Sequence, residues 1–61
     1  MSNEYQKREL LERKKVLEEL LPATKEFLAT SSNNYQQQRL KESIEKAEKE
    51  LKLINVALRA I

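Results

Sequence analysis

The sequence predicts an all-α fold: an antiparallel two-helix hairpin of coiled-coil type, pairing as a dimer into a four-helix bundle. Three observations carry that expectation. The 61 residues include one proline and no glycine, so almost nothing interrupts a helix. Apolar residues recur at helical spacing in both halves. The one cluster of helix-disfavouring residues, Thr30-Ser31-Ser32-Asn33-Asn34, sits at mid-chain. The whole chain therefore reads as a single hairpin.

Helix 1 is expected over about residues 4–30. Leu10, Leu17, Leu20, Leu21, Thr24, Phe27 and Leu28 read as one broad apolar stripe. Glu4 and Glu9 precede Arg8 and Arg13 by four residues, the favourable order for pairs along a helix. Pro22 is the irregularity. It removes the hydrogen bond to the Glu18 carbonyl and crowds that turn, at a cost of about 3 kcal/mol. A kink is expected there; a split into two helices is the alternative, disfavoured because Leu21 is a poor N-cap.

The connection is expected at about residues 31–34, with asparagines available for positive φ. If Asn34 caps helix 2, Gln37 occupies the third helical position of a capping box. Helix 2 is then expected over about residues 35–60. Leu40, Ile44, Ala47, Leu51, Ile54, Leu58 and Ile61 follow one another at alternating spacings of four and three, a heptad seam. Glu42, Glu45 and Glu48 each stand four residues before a lysine. Folding the chain about Ser32 places Thr24 opposite Leu40, Leu20 and Leu21 opposite Ile44, Leu17 opposite Ala47 and Leu10 opposite Ile54. On this map Phe27 meets Gln37, Tyr5 packs over Leu58, and Tyr35 packs over Phe27 or the turn.

The last 11 residues carry more apolar surface than one facing helix covers. Leu53 and Val56, with Ala60, lie outside the seam, and Leu11 and Val16 lie off the helix 1 stripe. These five are expected to form a protein interface, with Tyr5 and Tyr35 as further anchors. The expected partners are a second copy of the chain, a larger protein, or both.

Composition removes most chemistry. There is no cysteine, histidine or aspartate, so disulfides, thiolate metal sites and histidine bases are all absent. The carboxylate groups Glu9/Glu12 and Glu42/Glu45/Glu48 each have a Lys or Arg within a turn and read as solvated faces. Without glycine there is no phosphate-cradling loop. The expectation is a non-enzyme with no cofactor and no metal: a small regulator, inhibitor or adaptor that works by binding a protein. The alternative is a nucleic-acid-binding accessory protein using Lys7, Arg8, Arg13, Lys14 and Lys15, although six acidic residues are interleaved in the same half. Interfacial membrane contact is a third reading, weakened by the missing tryptophan and the narrow polar face. No run of roughly 20 apolar residues spans a bilayer, residues 1–20 show no signal-peptide core, and a cytoplasmic location is expected.

Overall fold

Strong helix formers flank one polar turn, and two long helices result. The computed structural model describes residues 2–61: α1 spans Ser2–Thr30, α2 spans Asn34–Ala60, and Ser31, Ser32 and Asn33 connect them. The helices pack against each other, antiparallel, in a rod of 49 × 15 × 13 Å.

The turn satisfies its own backbone. At the end of α1, Thr30 Oγ1 donates to the Phe27 carbonyl at 3.1 Å and the Ser31 amide donates to the Leu28 carbonyl at 3.2 Å. These are orphan acceptors of the last helical turn. The cap of α2 is Asn33, one residue earlier than expected: its side chain accepts from the Gln36 amide at 3.1 Å. Such a cap is worth about 1 kcal/mol. No capping box forms. Gln36 Oε1 accepts from Ser31 Oγ at 3.1 Å, and Gln37 Nε2 donates to the Ser31 carbonyl at 2.6 Å. Both glutamines brace the turn across its gap. Asn33 is extended at φ −89° and no described residue has positive φ, so the asparagines serve as a cap and first turn, not as glycine substitutes.

The α1 seam is narrower than the sequence stripe. Leu10, Lys14, Leu17, Leu21, Thr24 and Leu28, spaced four and three alternately, are the buried or half-buried positions. Of these, Leu17, Leu21 and Thr24 line one groove with Ile44 and Ala47 of the α2 seam. Leu17, Leu21 and Ile54 are the buried core at 3%, 9% and 6% exposure. Leu20 and Phe27 are not in it. They remain 52% and 55% exposed, because at 100° per residue they sit about 100° or less round the helix from their seam neighbours, on its flank. Lys14 fills the vacant seam position with its aliphatic stem, leaving the ammonium to water.

Pro22 lies inside α1, which runs through it without a break, so the two-helix alternative is excluded. Its ring and the Glu18 residue are both exposed, and water can reach the carbonyl that the missing N–H leaves unpaired. Tyr5 and Tyr35 do not pack as expected. Tyr5 is exposed and lies about 140° round the wheel from Leu10 of the α1 seam, which turns it away from α2. Tyr35, 72% exposed, accepts a hydrogen bond from Arg39 Nη1 at 3.1 Å, with the guanidinium 5.8 Å over its ring.

Candidate interaction surfaces

Two ion pairs tie the helices together and mark opposite flanks of the rod. On one, Arg13 grips Glu50 with two bonds, Nε to Oε1 at 2.9 Å and Nη2 to Oε2 at 3.1 Å. The hydrogen bond from Arg13 and its charge hold the Glu50 carboxyl below its ordinary value, while desolvation opposes them. The same bond and charge raise the Arg13 guanidinium. On the other flank, Lys25 Nζ lies 3.3 Å from Glu48 Oε2. By the register Lys25 faces Arg39, so Glu48 lies nine positions, about 13 Å, toward the open end. Helical side chains lean toward their own N-terminus. In an antiparallel pair Lys25 therefore leans toward the open end and Glu48 toward the turn, and they meet between.

The Arg13 flank is grooved and largely apolar. Leu20 and Phe27 lie within about 40° of Arg13 on the α1 wheel, and Ala57 within about 20° of Glu50 on α2. Leu17 and Leu20 line a mid-rod groove, Ala23, Thr24 and Phe27 line one near the turn with Leu40, and Leu10, Ala57, Ala60 and Ile61 line one at the open end. Val16, Leu20, Ala23 and Phe27 are exposed at spacings of four, three and four. They form a second heptad stripe beside the packed one.

The expected interface residues separate into three places. Leu53, Val56 and Ala60 are exposed on the outer side of α2 near its C-terminal end. Val16 belongs to the α1 stripe just described. Leu11, although exposed, is about 140° round the wheel from Val16 and sits on the Lys25 flank. The structure thus does not bring Leu11 and Val16 together. Tyr5 and Tyr35 stand apart at opposite ends of the rod.

The basic residues also divide. Arg13 faces the grooved flank, bound to Glu50, away from Lys7 and Lys14. Lys7 and Lys14 lie within about 20° of Lys25, and Lys52 and Arg59 within about 40° of Glu48. All four are on the Lys25 flank. Reading each helix alone assigns Leu20 and Phe27 to the packed stripe and Lys52 and Arg59 to a polar edge, and leaves Ala23 unassigned, so none of them is marked as a binding residue. The signal is nonetheless present in the sequence: the hairpin register sets Lys52 two positions, about 3 Å, beyond the residue opposite Lys14, and Arg59 two positions beyond the residue opposite Lys7.

Among the described residues no three carboxylates gather where they could hold a metal ion, and no helix is long and apolar enough to cross a membrane. Compared with known proteins, the chain matches no family model, no curated protein and no solved structure.

Proposed function

We propose that the chain is a non-enzymatic protein-binding module, acting as a regulator, inhibitor or adaptor, whose first partner is a second copy of itself packed on the grooved flank. The observation that carries this reading is surface in excess of what the chain's mass requires. The rod exposes 5226 Å². A compact chain of 7.2 kDa exposes about 4,100 Å², so the excess is about 1,100 Å². A standard interface buries about 800 Å² per partner. Among the described residues only Leu17, Leu21 and Ile54 form the buried core, whereas Val16, Leu20 and Phe27 present an unpaired seam to solvent. Two such seams, running antiparallel, set Val16 against Phe27 and Leu20 against Ala23, large beside small. The result is a four-helix bundle with an isologous interface.

Light scattering over a tenfold concentration range tests the reading. The expected result is a dimer mass for the wild type, a monomer mass for Leu20→Glu, and a retained dimer for Val56→Glu, which alters the outer side of α2. A wild-type monomer throughout would overturn self-association. Loss of the dimer in Val56→Glu but not in Leu20→Glu would move the interface to the outer face.

A further inference from the structure

We infer that the flank opposite the grooves is a binding site for the phosphate backbone of duplex nucleic acid, built from both helices. The sequence carries a net charge of only +2, but the fold distributes it unevenly. At the open end of the Lys25 flank, Lys7 and Lys14 from α1 face Arg59 and Lys52 from α2, with Arg8 and Lys15 at the margin. Residues seven apart on a helix are about 10.5 Å apart along its axis, and packed helices lie about 8–10 Å apart. The four cations therefore stand near the corners of a square about 10 Å on a side. Glu4 is the one acidic residue beside the four central cations, and Glu12 stands next to Arg8 and Lys15 at the margin. Glu18 and Glu48 border it toward mid-rod, where Glu48 is engaged by Lys25. The ion pairs among the described residues are Arg13–Glu50 and Lys25–Glu48, and none of the six cations belongs to either.

The distribution of other side chains selects the ligand. Tyr5, Phe27 and Tyr35 all lie off this flank, so no aromatic platform accompanies the cations. Single strands are held by stacking as well as charge. Among the described residues Leu11 is the exposed large apolar residue inside the patch and Val56 stands at its outer edge beside Lys52, two separate side chains and not a continuous band, whereas Leu53 points elsewhere. An anionic bilayer binds surfaces whose apolar residues enter beside the basic ones. A duplex needs neither: it presents one phosphate per about 1.7 Å, so about 12 over a 20 Å length of rod. Contacts of this kind are made to the backbone and do not read sequence.

The test uses the full chain and a labelled 20-base-pair DNA duplex, with anisotropy followed from 20 to 200 mM salt. Binding is expected to weaken linearly on a log–log plot. The pair Lys52→Gln/Arg59→Gln is fully on the surface and should lower the slope by about 1.8, at about 0.9 for each phosphate no longer neutralised. Adding Lys7→Gln and Lys14→Gln should lower it by about 3.6 in total, with helicity checked by circular dichroism. Arg13→Gln should leave the slope unchanged. No binding at 20 mM salt, a slope indifferent to Lys52 and Arg59, or binding to phosphatidylserine vesicles in place of the duplex would each overturn the inference. None of these outcomes bears on the dimer, which uses the opposite flank.

Discussion

The Arg13–Glu50 pair shows what one ion pair does at residue scale. A planar guanidinium meets a carboxylate with two near-parallel bonds, 2.9 and 3.1 Å, which fixes direction as well as distance. The hydrogen bond lowers the Glu50 carboxyl in the folded state from its ordinary 4.5. A folded value below the unfolded one means the pair's stabilisation is fully present above about pH 4.5 and is lost as pH falls through the folded value. A carboxyl-detected NMR titration should place the Glu50 midpoint lower in the wild type than in Arg13→Gln. Equal midpoints would mean that the pair does not persist in solution. Arg13 was legible from the sequence as a cation, but not as one turned away from Lys14. Lys14 was itself legible only as a charge. Its half-buried stem completes the α1 seam, a role that follows from position 14 in the four-and-three spacing and not from residue type.

At the scale of the element, each helix is explained by its seam and its ends. α2 begins at the residue after Asn33 because the asparagine side chain accepts the Gln36 amide and so closes the first turn. The heptad spacing of Leu40 to Leu58 and the turn's position were both readable from sequence, since each is local. The cap's identity was not, because Asn33 and Asn34 offer the same oxygen and the bracing by Gln36 and Gln37 decides between them. α1 carries Pro22 through its middle at an exposed position. Alanine there would restore the bond to the Glu18 carbonyl and remove the ring's crowding. Pro22→Ala should therefore raise stability by up to about 3 kcal/mol, read as a higher melting temperature by circular dichroism. A lower one would show that α1 depends on the proline to follow α2.

At the scale of the whole molecule, the rod is long for its mass and buries little. If a second copy supplies the missing core, folding and association are linked, and stability rises with protein concentration. The melting temperature of the wild type should climb over a hundredfold rise in concentration, while that of Leu20→Glu should stay flat. A flat wild-type series would place all of the stability within one hairpin. Such a dimer leaves the two basic flanks on opposite outer faces of the bundle, free for anionic partners. By itself the sequence determined two helices, one polar turn and their register, because helical period and a short connection are local constraints. It did not determine which way α1 faces. α1 contains two overlapping series at spacings of four and three, one through Leu17 and Leu21 and one through Val16, Leu20, Ala23 and Phe27. Only packing against α2 selects the first and leaves the second in solvent. That choice, together with the opposed winding of antiparallel helices, puts the Val16–Phe27 stripe on one flank and Lys7, Lys14, Lys52 and Arg59 on the other.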